Sequence, residues 1–564
     1  MLLGLMFVGM ILETLGIGLV VPAVALMTRD DILTRYPGIA HFGSWTGLSA
    51  REGLVLTGML AMAAVAVIRA VFLAGVVAFQ MHFVYELQAK ISQRLFAGYL
   101  AQPYAFHIQR NSAELIRNAL GEVDLVTQHA VLQGLNLIAE LLVVSGIFAL
   151  LLYVEPVGAL ISIGTIVLAG WAFGHLTRNR IVRWGAARQQ HEGMRVQHLQ
   201  QGLGAVKEAK LLGREAEFIE QYGIHTRAAG RASEHNQVLQ QLPRLALEML
   251  AMVALALLVI TMVLRHRPLQ ALLPTIGVFA AAAFRIMPSA NRIINAIQGI
   301  RFATPVAESL VKEMAAFDAL PSVAQGPKLP LAGAISVAGV DFQYETAATP
   351  TLRGVSLAIE AGTSVGFVGG SGAGKSTLID IILGLLTPQS GRVLVDGIDI
   401  QTNLRGWQRN IGYVPQRIYL TDDTLERNIA FGLPDEQVDA AAVQRALRAA
   451  QLEQFVAELP QGLQTKVGER GVRLSGGQLQ RIGIARALYH DPPVLVLDEA
   501  TSALDQVTER SVMQAVGALH GYKTVLIVTH RLSTVADCDR LYRMEGGRIV
   551  DAGDAARMIA AAGA

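Results

Sequence analysis

Six long apolar stretches occupy the first three hundred residues of the chain. A helix that crosses a bilayer needs about 20 predominantly apolar residues, and each stretch has about this length. Buried core helices of a soluble protein would need amphipathic faces and caps, which these segments lack. The chain is therefore predicted to be a polytopic helical membrane protein. The predicted spans lie near residues 2–27, 54–80, 131–152, 157–176, 245–264 and 273–297.

Composition supports a membrane protein and excludes several other classes. Of the 564 residues, 52% are hydrophobic and 16% are charged, whereas soluble domains carry about 25% charged residues. The mean hydropathy is +0.41. A net charge of +2 gives no indication of a nucleic-acid partner. The single cysteine, Cys538, excludes an intrachain disulfide and a cysteine-based zinc site.

The distribution of Lys and Arg predicts the orientation of the spans. Residues 177–244 carry many cations, whereas residues 153–156 carry none. Cytoplasmic loops are enriched in Lys and Arg, so six spans place both termini and the charged loops in the cytoplasm. We therefore expect a multi-pass protein of the cytoplasmic (inner) membrane. The two cytoplasmic loops are long and helix-forming, which predicts that the spans continue into the cytosol as helices.

Beyond residue 330 the pattern becomes that of an α/β domain. Short apolar runs at 365–368, 494–497 and 525–528 alternate with helical patterns, as in parallel βαβ units. A segment rich in Pro and Gly, between residues 321 and 330, marks a linker. The predicted organisation is a transmembrane domain at 1–310, a linker at 311–330 and a nucleotide-binding domain at 331–564.

A glycine-rich loop follows the first of these predicted strands and begins a helix. Its sequence matches the phosphate-binding pattern GxxxxGK[ST]. Backbone N–H groups and the helix N-terminus suit phosphate oxygens. Lys375 is expected to reach the β- and γ-phosphates of ATP, and the Ser376 hydroxyl to bind Mg²⁺. The predicted ATP-binding residues of the loop are Gly369, Gly370, Ser371, Gly372, Ala373, Gly374, Lys375, Ser376 and Thr377.

Two carboxylates close the apolar strand at 494–498. This position places Asp498 beside the metal ion, and it places Glu499 where water approaches the γ-phosphate. In phosphoryl transfer the protein mainly positions groups and stabilises charge, while one residue orients the nucleophile. Glu499 is the predicted general base. A merely solvated strand end is the alternative, although two adjacent acids there would repel each other.

Further motifs resemble those of the ATP-binding cassette (ABC) ATPases and follow the family's order. Residues 474–478, Leu-Ser-Gly-Gly-Gln, resemble the signature motif. Gln416 looks like the Q-loop glutamine, which the resemblance makes catalytic and a Mg²⁺ ligand, and His530 looks like the switch histidine. Tyr344 lies where the family stacks a ring on adenine. The resemblance covers residues 331–564, and the six spans extend it to an exporter-type membrane domain fused to an α/β P-loop ATPase.

The resemblance also implies stoichiometry, because the family closes the signature motif of a second copy over ATP. The residues expected to bind ATP in trans are Leu474, Ser475, Gly476, Gly477, Gln478 and Asp505. No motif is degenerate, which favours a homodimer over a heterodimer. Residues 467–471 look like a segment that exporters use to contact cytoplasmic loops. We expect coupling through loop helices near 112–120 and 204–214.

Four charged residues fall within the predicted spans, where charges usually face a cavity or a partner. One hypothesis is that Arg69, Arg285 and Arg292 line a cationic cavity for an anionic group such as a pyrophosphate. The alternative is that Glu13 pairs with one arginine, or that Arg69 and Arg292 reach the membrane interface.

The first span, with the long outer loop at 28–53 that follows it, resembles bacterial flippases of lipid-linked oligosaccharides. Such relatives usually begin with an amphipathic surface helix, whereas here the apolar run begins at Leu2. The predicted function is ATP-driven export of a lipid-linked oligosaccharide or a similar anionic lipid. Exporters of peptides, drugs or lipid A share the architecture, and an ATP-gated channel or sensor is a further alternative.

Overall fold

The structure is a computed structural model that describes residues 1–18, 50–154, 156–264, 269–318, 326–501 and 506–562. The chain divides into two compact units. The first comprises Met1–Gln102 and Phe106–Leu320, and the second comprises Pro103–Ala105 and Pro321–Ala564.

Helices alone make up the described part of the first unit, apart from short connections. Four of them have 49 to 52 residues, which corresponds to about 75 Å at 1.5 Å per residue. That is more than twice the thickness of a hydrocarbon core, so these helices extend well beyond a bilayer, as the sequence predicted. The helices are α1 (Leu2–Gly18), α2 (Ala50–Ala101), α3 (Tyr104–Gln109), α4 (Ser112–Arg117), α5 (Val123–Val126), α6 (Leu132–Val154), α7 (Pro156–Gly204), α8 (Val206–Leu212), α9 (Glu215–Leu264) and α10 (Leu269–Asp318), with π-helical turns at Asn118–Glu122 and Thr127–Val131.

Two helical segments in the described part of the chain have the length and composition of membrane spans. They are Met59–Ala101 and Ser112–Leu150, and Leu2–Leu15 is a shorter apolar helix. The last three predicted spans lie within α7, α9 and α10. The end of the first predicted span and most of the loop at 28–53 lie outside the described residues. The count of six spans therefore stays a prediction.

Close packing joins α2, α7 and α10. Leu95, Ile181 and Phe302 are almost fully buried in one cluster. A Cβ on Gly185 would lie 2.3 Å from the carbonyl oxygen of Phe302, so glycine is what allows the backbones of α7 and α10 to touch here. The Tyr99 hydroxyl of α2 also donates a 2.6 Å hydrogen bond to Glu313 of α10.

Three histidines meet where α7 packs against α9. Nδ1 of His191 lies 3.0 Å from Nδ1 of His225, and the ring of His198 stacks on that of His225. Burial, followed by the charges of His191 and His198, lowers the pKa of His225 from its usual 6.5. The packing of α7 against α9 therefore favours the neutral form of His225.

We expect the cluster to make stability depend on pH. Since the folded pKa of His225 is lowered, its contribution to stability is complete above about pH 6.5 and declines as the pH falls below that value. The melting temperature of the purified protein, measured between pH 8 and pH 5.5, should fall less in His225→Gln than in the parent. His82→Gln, at an exposed histidine of α2, is the matched control. An equal fall in all three proteins would contradict this role.

The second unit contains two sheets. The strands are β1 (Ala334–Phe342), β2 (Leu352–Glu360), β3 (Ser364–Val368), β4 (Ser390–Val395), β5 (Ile398–Asp399), β6 (Ile411–Val414), β7 (Val494–Asp498), β8 (Thr524–Val528), β9 (Arg540–Glu545) and β10 (Arg548–Gly553). The helices are α11 (Lys375–Ile382), α12 (Leu404–Gln408), α13 (Leu425–Ile429), α14 (Ala440–Ala449), α15 (Glu453–Glu458), α16 (Gly476–Leu488), α17 (Gln506–Gly517) and α18 (Ala555–Ala562).

The larger sheet has the order β10-β9-β3-β8-β7-β6. Its strands β9, β3, β8, β7 and β6 are parallel, and β10 is an antiparallel edge. The three predicted strands are therefore neighbours, and β7 and β8 are buried along their whole length. The second sheet, β2-β1-β4-β5, is antiparallel. The sequence analysis did not predict it, because β1 and β2 mix buried with exposed positions and lack a continuous apolar run.

Candidate functional site

The predicted site residues collect at the carboxyl edge of the parallel sheet. The glycine-rich loop follows β3, Glu499 follows β7, and Gln416 and His530 follow β6 and β8. Ligands of open α/β sheets bind outside this edge. The topology therefore brings together motifs that are spread over residues 369–530 of the sequence.

The loop between β3 and α11 has backbone conformations that need glycine. Gly369 and Gly374 have φ values of 151° and 95°, and a Cβ on Gly369 would lie 2.3 Å from the carbonyl oxygen of Met544. Lys375 is buried, and its Nζ donates to the carbonyls of Gly369 (2.8 Å) and Gly370 (2.9 Å). These bonds hold the ammonium group at the loop that is predicted to bind phosphate.

Tyr344 lies beside the helix that follows this loop. Its hydroxyl is 3.2 Å from Oγ1 of Thr377, and its ring packs edge-on against Phe342 with centroids 5.0 Å apart. The ring is only partly buried. Its stacking on adenine stays a prediction.

The residues predicted to bind Mg²⁺ fit that ion. Asp498 is buried, and burial followed by the charge of Glu499 raises its pKa. Its Oδ1 has no hydrogen-bond partner among the described residues. A buried carboxylate oxygen without a partner is costly, whereas a hard cation accepts oxygen ligands of this kind. Asp498, the exposed hydroxyl of Ser376 and the amide of Gln416 are thus the residues that would hold Mg²⁺.

Two of the residues predicted to be catalytic, Gln416 and His530, both contact the third, Glu499. Nε2 of Gln416 donates to Oε2 of Glu499 at 2.6 Å, and Nδ1 of His530 lies 3.3 Å from Oε1. The Glu499 backbone has a φ of 49°, and its N–H donates to the carbonyl of Val528 at 2.9 Å. A side chain in the sparsely populated left-handed region is a common feature of functional sites.

The signature residues lie at the exposed N-terminus of α16. Ser475 and Gln478 form a capping box, in which each side chain accepts a hydrogen bond from the other's backbone N–H, at 3.2 Å and 2.8 Å. Ser475 and Gly476 are exposed. Among the described residues, no hydrogen bond or ion pair joins residues 474–478 to the glycine-rich loop. Asp505 lies outside the described residues.

Sequence reasoning missed Glu509, in the first turn of α17. Its carboxylate accepts hydrogen bonds from Thr501 (3.0 Å), Thr534 (3.0 Å) and Nη1 of Arg531 (3.2 Å). Thr501 follows Glu499 closely in sequence, and Arg531 is the neighbour of His530. Glu509 therefore joins the segments that carry Glu499 and His530, two of the residues predicted to be catalytic. No motif marks it, because its role depends on contacts between distant segments.

Replacing Glu509 with Gln should weaken this junction. The amide keeps the shape but loses the charge, and hydrogen bonds to charged groups contribute about 1.5–3 kcal/mol. We expect a clear loss of thermal stability and a fall in kcat, with little change in KM for ATP, because the contacts reach Glu499 and His530 rather than the phosphate loop. Glu453→Gln, at an exposed position of α15, is the matched control. Kinetics like those of the parent would exclude this positioning role.

Asp380 and Tyr413 form a second group that the sequence analysis missed. Burial, followed by the charge of Asp498, raises the pKa of Asp380 to about 6. Burial and the same carboxylate raise the pKa of Tyr413. The signal available in the sequence was Asp380 itself, an acidic residue among the apolar residues of α11. These groups surround Asp498 with polar atoms and negative charge.

Two of the three arginines predicted to line a cavity have carboxylate partners. Nη2 of Arg69 lies 3.3 Å from Oε1 of Glu13, and Nη2 of Arg292 donates to Oε2 of Glu140 at 3.1 Å. The pairing of Glu13 with an arginine is the alternative considered above. The side chain of Arg285 lies outside the described residues.

One short segment of the helical half groups with the second unit. It is Pro103–Ala105. The coupling expected near 112–120 and 204–214 stays a prediction.

Comparisons with known proteins match both halves. A model of the ABC transporter family matches residues 352–502, and a model of the ABC transporter transmembrane region matches residues 45–282. The chain is 30% identical to an ATP-dependent lipid A-core flippase of Cupriavidus pinatubonensis, over 84% of this chain and 80% of the relative. It is 46% identical to a putative multidrug export ATP-binding/permease protein of Staphylococcus aureus, over 41% of this chain and 40% of that relative.

A solved structure has the same fold. A bacterial Atm1-family ABC exporter with ATP bound aligns with 99% of this chain and 96% of its own, with a TM-score of 0.81 and 24% identity. This likeness confirms the predicted architecture, a helical transmembrane region joined to an ABC ATPase domain.

Proposed function

Because this chain belongs to the ABC transporter family, we propose that it is a homodimeric exporter that moves an anionic amphipathic lipid across the cytoplasmic membrane. The chain is a membrane protein that couples ATP hydrolysis to transport. The cargo, the dimer, the orientation and the role of each residue form the proposal.

The phosphate site acts mainly by positioning and by charge. Backbone N–H groups of residues 369–376 and the N-terminus of α11 surround the phosphates, and the ammonium of Lys375 exchanges its two carbonyl partners for phosphate oxygens. Asp498, Ser376 and Gln416 would hold Mg²⁺, which when bound would neutralise negative charge on the phosphates. Thr377 and Tyr344 support the same helix from the side of the adenine.

Glu499 prepares the attacking water. Its carboxylate accepts the proton of the water, while Gln416 and His530 hold the two carboxylate oxygens from either side. Gln416 and His530 both contact Glu499 directly. Movement of the segment that carries either residue therefore reorients the Glu499 carboxylate relative to the attacking water. Cargo that displaces these segments would therefore change the hydrolysis rate, which is the basis of coupling in this proposal.

Dimerisation would complete the site. The exposed N-terminus of α16 presents the N–H groups and hydroxyl of a second anion-binding surface. Within the described residues no hydrogen bond or ion pair joins these groups to the phosphate loop of the same chain. A second copy can supply them to the γ-phosphate, and Asp505 of that copy is proposed to bind ATP in trans as well. We place the ATPase domain and both termini in the cytoplasm, on the Lys and Arg bias of residues 177–244.

The cargo assignment depends on one observation, the similarity to relatives that are named lipid A-core flippases. A second such relative, from Cupriavidus metallidurans, is 32% identical over 83% of this chain. These names favour lipid A-type cargo over the lipid-linked oligosaccharide that the first span suggested. Both are phosphorylated glycolipids, so the proposed cargo class is the same.

Reconstitution tests this function. The purified protein in liposomes should move a fluorescent lipid A-type glycolipid to the opposite leaflet only when Mg-ATP is supplied on the side of the ATPase domain. A labelled polyprenyl-pyrophosphate glycan, tested in parallel, decides between the two cargoes. Glu499→Gln is the inactive control. Movement of neither lipid above this control would overturn the lipid assignment.

We propose further that Arg69, Arg285 and Arg292 contribute positive charge to the cargo path. Neutralising Arg69 and Arg285 should reduce transport severalfold and leave basal ATPase activity unchanged. Since Arg69 pairs with Glu13, the same double variant is also made with Glu13→Gln, which avoids an unpaired buried carboxylate. Transport should stay reduced in it, because the arginine charges are still missing. Unchanged transport in the variant lacking Arg69 and Arg285 would exclude the cationic path.

A further inference from the structure

A cavity of about 510 Å³ lies between α6, α7 and α10. Apolar side chains such as Val167 and Ile286 line most of it. Four polar side chains also line it: His175, Arg178, Gln298 and Arg301. The cavity is separate from the nucleotide site, and it does not include the arginines assigned above to the cargo path.

The arginines share one end of the cavity. A Cβ on Gly170 would lie 3.8 Å from Cδ1 of Ile294, and the carbonyl of Gly174 accepts a 2.7 Å hydrogen bond from Nη1 of Arg301. Gly170 thus faces Ile294, and Gly174 faces Arg301. Because the residue numbers rise in the same direction along both helices, α7 and α10 are parallel here. From Val167 to Arg178 the wall is about 16 Å long. The cavity is therefore a groove whose walls are mainly apolar and which has two arginines at one end.

The cationic end has no counter-ion within the described residues. Neither Arg178 nor Arg301 forms a salt bridge there, and burial followed by the charge of Arg178 lowers the pKa of Arg301. Both residues lie beyond the predicted ends of their spans, at 176 and 297. Two close guanidinium groups are favourable when an anion lies between them.

Gln298 gives a second, independent indication of a ligand. It is 1% exposed, and neither its Oε1 nor its Nε2 has a hydrogen-bond partner among the described residues. Buried amides are almost always paired in folded proteins. An amide that lines a cavity with both polar atoms unpaired therefore suggests that a polar ligand group completes its bonding.

We propose that this groove binds a phosphate-bearing membrane lipid, with the phosphate between Arg178 and Arg301 and an acyl chain along Val167 and Ile286. Nε2 of Gln298 donates to an oxygen of the headgroup. Because both arginines follow the predicted cytoplasmic ends of spans four and six, the phosphate lies at headgroup depth while the chain lies in the hydrocarbon region. The site does not depend on which lipid is transported.

Trp171 lines the same groove and is 66% exposed, so it reports on occupancy. The full-length protein is placed in nanodiscs of phosphatidylcholine that contain phosphatidic acid with brominated chains, which quench tryptophan fluorescence on contact. Quenching should saturate at a low fraction of phosphatidic acid and should disappear in Trp171→Phe. Brominated phosphatidylcholine should quench only at a much higher fraction.

Two variants separate the headgroup from the chain. Arg178→Gln combined with Arg301→Gln should weaken the apparent affinity for phosphatidic acid about tenfold or more, because charge-assisted hydrogen bonds are lost. Arg180→Gln, at an exposed position of α7, is the matched control and should bind as the parent does. Gly170→Leu fills the groove and should reduce quenching by both lipids. Melting temperatures show that each variant is folded.

Three results would overturn the proposal. One is equal quenching by the two lipids, which would mean nonspecific contact with the bilayer. Another is quenching by phosphatidic acid that the double arginine variant leaves unchanged. The third is absence of quenching by either lipid, which would mean that a second copy of the chain covers the groove. All are binding measurements, so a failure of lipid transport leaves this test intact.

Discussion

Glu499→Gln should reduce the rate of ATP hydrolysis by about 10²–10⁴-fold, the usual contribution of a general base. The amide cannot accept the proton of the attacking water, yet it keeps the size of the carboxylate and an oxygen for Gln416 and His530. Binding of ATP should persist, because the phosphate loop and Asp498 are unchanged. The variant should therefore retain ATP in a closed state and stop moving cargo.

Measurements of phosphate release and of retained radiolabelled nucleotide check this expectation. Glu453→Gln, a surface change in the same unit, should leave both unchanged. A variant that hydrolyses ATP at the parental rate would show that Glu499 is not the base. Ion conduction through the ATP-retaining variant would favour the gated-channel alternative over a pump.

The second large effect concerns the two halves of the ATP site. If the signature motif acts in trans, each ATP site combines the phosphate loop of one protomer with the signature motif of the other. Lys375→Ala on one protomer and Gly477→Asp on its partner then fall in the same site. The second composite site should stay intact. The same two changes on one protomer, paired with an unchanged partner, should damage both sites and reduce ATPase activity to background. Sites formed within one chain predict the opposite pattern, so the two architectures cannot give the same result.

The choice of Gly477→Asp keeps this test independent of folding. A carboxylate in the first turn of α16 suits the helix dipole, so the helix should remain stable, whereas the same charge repels the γ-phosphate. The capping box of Ser475 and Gln478 is retained. Mixed dimers purified through two different affinity tags give the activities, and melting temperatures of each dimer give the control. Activity retained by a monomer would exclude the composite site.

The contacts of Glu499 show how far the sequence predicted the ATP site. The strand ending in Asp498, the glycine-rich loop and the ordered family motifs identified residues that the structure brings together, because the chemistry of phosphate binding requires particular residue types at fixed spacing. The same reasoning missed Glu509 and Asp380. Their importance comes from neighbours on other elements, and no spacing within the chain records those neighbours.

In the membrane half, the sequence predicted the helices but left the roles of the charged residues open. Apolar length predicted spans and their extension into long helices, because a bilayer imposes a minimum length on any helix that crosses it. Charge positions alone left the function of the arginines open. The structure pairs Arg69 and Arg292 with Glu13 and Glu140, and it leaves Arg178 and Arg301 without a carboxylate among the described residues.

The sequence by itself determined the class of the chain, its two kinds of domain and the residues predicted to bind and hydrolyse ATP, because hydropathy and motif spacing are local properties. Only the tertiary structure decided which charges are paired, which buried amide lacks a partner and where a groove opens between α6, α7 and α10. These features depend on the packing of helices that are distant in sequence, and packing geometry is set by the whole fold.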